Sequence, residues 1–357
     1  MEISDLAEML AQRIDALCVH LLPNGKRERN EYLVGSVAGE PGRSMSVCLR
    51  GARQGLWKDF SSDADSGDAL DLVAAVLFRN DKGEAVKWSR SWLGLDTLDP
   101  NRLEQRRREA KAAADERDKK AHAEMMKIRG DAKRIWHGAQ ADILASPVHH
   151  YFMGRAIDMR RLERIPGAIR FSPSCWCAET NTRLPAMVSQ IQTLEEGHIS
   201  THRTYLQRFP DGSWKKATLE EPKKTLSSFR GGFIALNRGA SGKPIKEAPP
   251  GDLVIIAEGI ETGLSIAVEM PEARVLAGVS VTNFQNLVLP PAITRVTIAA
   301  DNDGDNEKSA AAVDRAAQRF VDQGREVKII YPPSGKDFND YLQLMAQGRQ
   351  DDMRRMV

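Results

Sequence analysis

The sequence predicts a multidomain protein of the α/β and α+β classes, with a mainly parallel sheet in its C-terminal part. Three observations lead there. A chain of 357 residues exceeds one compact domain, so two or three folding units are expected. Hydrophobic residues at 41% and charged residues at 28% lie near the averages of soluble globular domains, which excludes a wholly disordered chain. From about residue 249 onward, short apolar runs alternate with helical patterns, and repeated β-α units build a parallel sheet.

The first 96 residues mix both periodicities. Turn signals at Pro23-Asn24-Gly25 and Gly39-Glu40-Pro41-Gly42 bracket expected strands over 32–37 and 44–50. Trp57-Lys58-Asp59-Phe60 follows, and then a helix after Gly67-Asp68, with Asp68 as its cap. Residues 97–145 are rich in Arg, Lys, Glu and Ala, which predicts a charged helical linker, mostly solvated because acidic neighbours dilute its basic residues. The segment 146–248 alternates expected strands over 186–192, 199–207 and 232–236 with a turn at Pro210-Asp211-Gly212. It is basic on balance, with His202, Arg203, Lys216, Lys223, Lys224 and Arg230 lying among Tyr205, Trp214 and Phe229. That mixture suits phosphate contact and base stacking. In 249–357, strands are expected over 253–257, 274–278, 295–300 and 326–331, with helices over 262–270 and 307–323.

Composition narrows the function classes. Formal net charge is only +2, so any nucleic-acid surface must come from local basic clusters. The N-terminus carries Asp5, Glu8, Arg13 and Asp15 where a secretory signal needs an apolar core. The longest apolar run, Leu253 to Ala257, is far below the roughly 20 residues that cross a bilayer. Four scattered cysteines, Cys18, Cys48, Cys175 and Cys177, do not make a disulfide scaffold. A cytoplasmic protein with no membrane partner is expected.

Ligands of a parallel sheet gather at the carboxyl edge of its strands. Glu258 directly follows one expected strand, Asp301, Asp303 and Asp305 follow another, and Asp337 and Asp340 follow a third. Converging carboxylates repel each other and resist desolvation, which a hard divalent cation relieves. Oxygen donors without nearby His or Cys favour Mg2+ or Mn2+ and imply phosphoryl or nucleotidyl transfer. Each acidic stretch also reads as a turn or helix cap on its own. A calcium loop is excluded, because Gly304 stands at position 4 and Ala312 at position 12 of Asp301-Asn302-Asp303-Gly304-Asp305.

Glu258-Gly259-Ile260-Glu261-Thr262-Gly263, Ala300-Asp301-Asn302-Asp303 and Lys336-Asp337-Phe338-Asn339-Asp340 resemble, in order and spacing, the acidic motifs of Toprim domains. The resemblance covers roughly the last 110 residues and implies a Rossmann-like Toprim catalytic domain over 249–357. It makes Glu258, Asp301 and Asp303 catalytic, adds Asp305 as a metal ligand, and places Glu261, Lys336, Asp337 and Asp340 in a secondary acidic or nucleotide-binding role. Residues 1–96 resemble the N-terminal module of phage and plasmid primases, and 146–248 resembles the basic subdomain of the primase core. Arg203, Tyr205, Lys216, Lys223, Lys224 and Arg230 are then expected to contact nucleic acid or nucleotide.

The resemblance implies a DNA primase or primase-like nucleotidyltransferase, with single-stranded DNA as template and nucleoside triphosphates as substrates. A Toprim nuclease or a non-catalytic replication adaptor are the alternatives. The primase module normally binds zinc, but no Cys-x-x-Cys pair is present, and neither Cys18-Val19-His20 with Cys48 nor Cys175-Trp176-Cys177 supplies four ligands. No zinc is expected. Arg238-Gly239-Ala240-Ser241-Gly242-Lys243-Pro244 fails the phosphate-loop pattern at its last position, so a separate replicative helicase is expected as a partner.

Overall fold

The structure, a computed structural model, describes residues 2–61, 66–302, 304 and 306–355. It divides into two compact units, Met1–Met126 and Lys127–Val357.

In the first unit, α1 (Ile3–Gln12) and α2 (Ile14–Leu21) precede a five-stranded sheet of β1 (Lys26–Glu28), β2 (Glu31–Val34), β3 (Met45–Cys48), β4 (Trp57–Asp59) and β5 (Ser66–Gly67). Its strand pairs are antiparallel. Two of these strands meet the sequence expectation in shortened form. β1, β4 and β5 were not anticipated, because strands of two or three residues show too little alternation to read. The helices α3 (Ala69–Phe78) and α4 (Lys82–Trp92) follow. Asp68 caps α3 as expected, its side chain accepting from the amides of Leu70 and Asp71 at 2.8 and 2.9 Å.

α5 (Pro100–His137) spans most of the segment expected as a charged helical linker and is mostly exposed, with a few positions anchored. In the first unit, Ala110 is buried, Arg107 pairs with Asp5 at 2.7 Å, and Arg117 pairs with Glu8 at 2.8 Å. In the second, Ala132 and Trp136 are buried. Charges that look like a solvated face in sequence find acidic partners far along the chain, and small Ala side chains allow the close approach.

The second unit continues with α6 (Pro147–Met153) and an antiparallel sheet built from β6 (Ile169–Cys177), β7 (Thr182–Thr193), β8 (Gly197–Arg208), β9 (Trp214–Lys216) and β10 (Lys223–Leu226). A second sheet combines β11 (Ile234–Arg238), β12 (Leu253–Ala257), β13 (Arg274–Ala277), β14 (Arg295–Ala299) and β15 (Glu326–Ile330) in the order β11-β13-β12-β14-β15. β12 pairs in parallel with β13 and β14, and β14 with β15, as the β-α alternation predicts. β11 adds an antiparallel edge, so the strand read as the end of the basic segment hydrogen-bonds into the parallel sheet.

Three helices complete this unit: α7 (Ile260–Glu269), α8 (Glu307–Asp322) and α9 (Phe338–Arg355). Ile255 and Ala257 join a core that includes α6 and α7, while Val254 and Ile256 face a core that includes α8. Strand alternation divides these residues between the two faces, which is why β12 reads as an unbroken apolar run. At Gly263 a Cβ would lie 2.5 Å from the Leu236 side chain, so only glycine lets α7 settle onto the sheet. Among the described residues, no helix is long and apolar enough to cross a membrane.

Replacing Asp68 with Ala removes acceptors for two end-of-helix amides and is expected to lower the stability of the first unit by about 1 kcal/mol, read as an earlier loss of helical circular dichroism in urea.

Candidate functional site

Parallel pairing sets the site. β12 and β14 are neighbours with Ala257 opposite Ala299, so the residues that follow them emerge side by side at the carboxyl edge. Glu258 and Asp301 line one cavity of about 440 Å³, the convergence that the spacing predicts. Asp301 is set between two backbone ties: the Ala300 amide donates to Ile330 at 2.9 Å, and the Asn302 amide donates to Lys336 at 2.7 Å. The Asn302 side chain also donates to the carbonyls of Pro332 and Gly335, at 3.1 and 3.0 Å. One asparagine thereby stitches the loop after β14 to the loop after β15, and Lys336 and Asp337 join the cavity wall.

Asp303 and Asp305 lie outside the described residues. Asp337 both lines the cavity and caps α9, its Oδ1 accepting from the amides of Asn339 and Asp340 at 2.8 Å each. Asp340 turns back to accept from the Lys336 amide at 3.1 Å and does not line the cavity. The capping interpretation therefore holds for Asp340, and for Asp337 capping and cavity position coexist.

Glu261 lines the same cavity and has an internal role besides. It is buried at 5% exposure and forms an internal clamp. The Tyr151 hydroxyl donates to its Oε1 at 2.6 Å, Lys216 lies 3.3 Å from Oε1, and Lys223 lies 3.1 Å from Oε2. Burial alone would raise this carboxyl's pKa. The charges of Lys223 and Lys216, with the Tyr151 hydrogen bond, reverse that and hold it well below the usual carboxylate range. Burial pulls Lys216 down, opposed by Glu261 and reinforced by Lys223. The carboxylate stays ionised, and two ammonium groups against one carboxylate leave one positive charge in excess on the cavity wall.

Strand parity sorts the basic cluster of the antiparallel sheet. Directly paired residues share a face and alternate residues along a strand do so too. Thr225 pairs with His202, Lys223 with Thr204, and Lys216 with Leu206, so His202, Lys216 and Lys223 project to one face, and all three line the cavity. Lys224 pairs with Arg203 on the other face, and Lys224 forms an ion pair with Glu221. Tyr205, expected to contact nucleic acid, is instead 1% exposed, with its hydroxyl donating to the Trp176 carbonyl. Its ring is core. Arg230 is exposed and donates to the Asn286 side chain at 3.2 Å. Arg203, Lys224 and Arg230 do not line the cavity.

Two contributors escaped the sequence reading, and a third, Asn339, stood inside the Lys336-Asp337-Phe338-Asn339-Asp340 motif without a role of its own. Tyr151 on α6 reaches Glu261. Arg155 lines the cavity and donates to the buried Asn339 side chain at 2.8 Å. Asn339 in turn donates to the Arg155 carbonyl and to Ser265 at 2.9 and 3.0 Å. No local pattern marks Tyr151 or Arg155, and the motif around Asn339 does not disclose its partners, since each residue acts across more than 70 positions of sequence.

The donors suit a hard cation. Glu258 and Asp301 provide oxygen ligands on a shared cavity, and Mg2+ commonly takes one or two carboxylates and completes its shell with water and phosphate. Among the described residues, no group of three or more His, Cys, Asp or Glu side chains could hold a metal. Arg155, Lys216, Lys223 and Lys336 line the same cavity, so it presents both oxygen donors for a cation and basic groups for an anion.

His202 is 8% exposed, and its Nδ1 has no hydrogen-bond partner. Burial and then the charge of Lys223 lower its pKa from 6.5 to about 4. The unfolded chain therefore binds a proton that folded His202 refuses, and stability falls as pH drops from 6.5 toward 4, by up to about 1.4 kcal/mol per pH unit. His202→Asn is expected to flatten that part of the curve in pH-dependent urea unfolding. The Glu261 clamp has the same sign at lower pH, because its folded pKa is depressed as well. Its contribution is complete above the ordinary value of 4.5 and is lost only as pH falls through the lower folded value. Glu261→Gln is expected to cost about 1–2 kcal/mol at neutral pH, since it leaves Lys216 and Lys223 without their counter-charge while solvent still reaches both ammonium groups, read from the same unfolding curves.

Comparison with known proteins agrees with the geometry at the C-terminal end. Residues 253–348 match the Toprim domain family, and residues 126–236 match a domain family of unknown function. No curated protein matches the chain. Similar solved structures include a DNA primase domain from Pseudomonas aeruginosa, 13% identical, covering 61% of this chain and 74% of that one with a TM-score of 0.41. A DnaG primase catalytic domain bound to single-stranded DNA is 13% identical, covering 66% and 79% with a TM-score of 0.43. The E. coli primase catalytic core is 14% identical, covering 62% and 75% with a TM-score of 0.40. The parallel sheet, the carboxylates at its edge and the family match together make the C-terminal part of this chain a Toprim domain.

Proposed function

We propose that the protein is a DNA primase or primase-like nucleotidyltransferase that makes short RNA primers on single-stranded DNA. One observation carries this reading: Glu258 and Asp301 share a cavity with Lys216, Lys223, Lys336 and Arg155. A metal-bound nucleoside triphosphate has the matching charge pattern, with a cation at one end of an extended polyanion. Glu258 and Asp301, with Asp303 and Asp305 assigned beside them from sequence, would hold Mg2+ or Mn2+. When bound, that ion neutralises and orients phosphoryl oxygens.

The chain's own residues do the rest. Lys216 and Lys223, held in place by Glu261, direct their excess charge at the triphosphate, and Lys336 joins them from the loop after β15. The Glu258 carboxylate would either complete the metal's oxygen ligands or accept the proton of the attacking ribose hydroxyl. Outside the cavity, Arg203, Lys224 and Arg230 are assigned to the template's phosphate backbone, where a basic contact positions the strand without reading its sequence. A separate helicase would supply unwound template.

The test offers single-stranded DNA, labelled ribonucleotides and Mg2+ or Mn2+ to the wild type and to Asp301→Ala and Asp303→Ala. Template-dependent oligomers are expected from the wild type, with a loss of at least about a hundredfold in each variant. Cleavage of DNA without nucleotides would replace this reading with a nuclease, and template binding without either reaction would replace it with an adaptor.

A further inference from the structure

A buried polar side chain ordinarily has a hydrogen-bond partner within the protein; among the described residues, the His202 ring has none. The residue is 8% exposed, its Nδ1 is sealed from solvent, and its ring lines the cavity. Nε2 is therefore the nitrogen left open to the cavity. Burial and the charge of Lys223 keep the imidazole neutral at ordinary pH, so it carries one N–H and one lone pair. A stranded buried N–H is rarer in proteins than an under-used acceptor, which puts the proton on Nε2. His202 thus offers the cavity an uncharged donor.

The neighbours of that donor ask for the same kind of ligand. Lys216 and Lys223 project from the same sheet face, and Arg155 and Lys336 line the same cavity. α7 begins there as well: Ile260 and Thr262 line the cavity, and Gly259 has no side chain with which to cap the helix. The start of a helix favours negative charge. Glu261 is committed to Tyr151, Lys216 and Lys223 and accepts nothing from His202. A phosphate group, with acceptor oxygens in a tetrahedral array, can meet donors arriving from a sheet and from a helix end together, which the two coplanar oxygens of a carboxylate do not. We infer that His202 donates from Nε2 to a phosphate oxygen of the bound triphosphate, in a subsite completed by the lysine pair and the start of α7. This subsite presupposes the reading of the cavity as a nucleoside triphosphate site and names a further group that holds the substrate. The cations attract the polyanion, and the imidazole fixes one of its oxygens by a directed bond that adds no charge.

Two variants separate the donor from the ring. A glutamine places its amide nitrogen near the position of Nε2, whereas an asparagine reaches only to that of Nδ1. Both replace the imidazole with an uncharged amide, and cooperative urea unfolding checks that both fold. Calorimetric titration of the full chain with inorganic tripolyphosphate and Mg2+ reads binding apart from any reaction. His202→Gln is expected to bind within about threefold of the wild type and His202→Asn at least about tenfold more weakly, the loss of one hydrogen bond to a charged acceptor. ATP with Mg2+ is expected to show the same ratios. In the wild type, the imidazole nitrogen resonances of His202 are expected to report the Nε2–H tautomer and to shift when tripolyphosphate is added. Equal affinities in the two variants would overturn the inference, as would an Nδ1–H tautomer or a wild type that does not bind tripolyphosphate. A loss seen with ATP alone would also overturn it, by moving the contact to the sugar or base. If the variants behave as expected and the wild type makes no oligomers, the nucleotidyl-transfer reading fails while the phosphate subsite stands.

Discussion

The clamp on Glu261 organises the second unit. One ionised carboxylate, almost wholly removed from solvent, is answered by Lys216 from β9, Lys223 from the start of β10 and Tyr151 from α6. Glu261 itself lies in the first turn of α7, directly after the parallel sheet's central strand. A buried charge is tolerated only when it is paired and hydrogen-bonded, so the antiparallel sheet must stand where its two lysines meet that carboxylate. The same requirement brings the basic face of one sheet to the acidic edge of the other. The cavity results from satisfying this one charge.

A second, smaller constraint shapes the opposite rim. Asn302 ties the loop after β14 to the loop after β15 through its amide and its side chain. The Asp301 beside it is thereby carried to the cavity together with Lys336 and Asp337. Asp337 illustrates how little separates structure from chemistry here: one of its oxygens ends α9's unsatisfied amides, and the residue still faces the cavity. Asn339, fully buried, links the start of that helix to Arg155 and Ser265. Capping, cross-linking and cavity wall are thus parts of one hydrogen-bonded layer.

These ties also explain the division of labour among the charges. Lys216 and Lys223 are committed to an internal carboxylate and keep only part of their charge for a ligand, which makes their positions well defined at little conformational cost. Lys224, the immediate neighbour of Lys223, bonds to Glu221 on the far face. A change of one residue along a strand moves a side chain from one side of the sheet to the other, so adjacent lysines serve different surfaces.

The sequence by itself determined the parallel sheet and its acidic edge. An apolar run such as Leu253 to Ala257 belongs to a strand covered on both faces, and a carboxylate immediately after it falls at the strand's end. Both inferences need only local periodicity, and Asp68 at the start of α3 was legible for the same reason. The tertiary structure decided what periodicity leaves open. Glu261 reads in its motif as a secondary acidic or nucleotide-binding residue, and the structure adds that it is a buried counter-ion on the cavity wall, because its partners come from β9, β10 and α6. Tyr205 looks like a stacking platform and becomes core, because strand register, and not residue type, chooses its face. Tyr151 and Arg155 carry no local mark at all, and the motif holding Asn339 says nothing of its partners, since a hydrogen bond between distant segments exists only after the chain has brought them together.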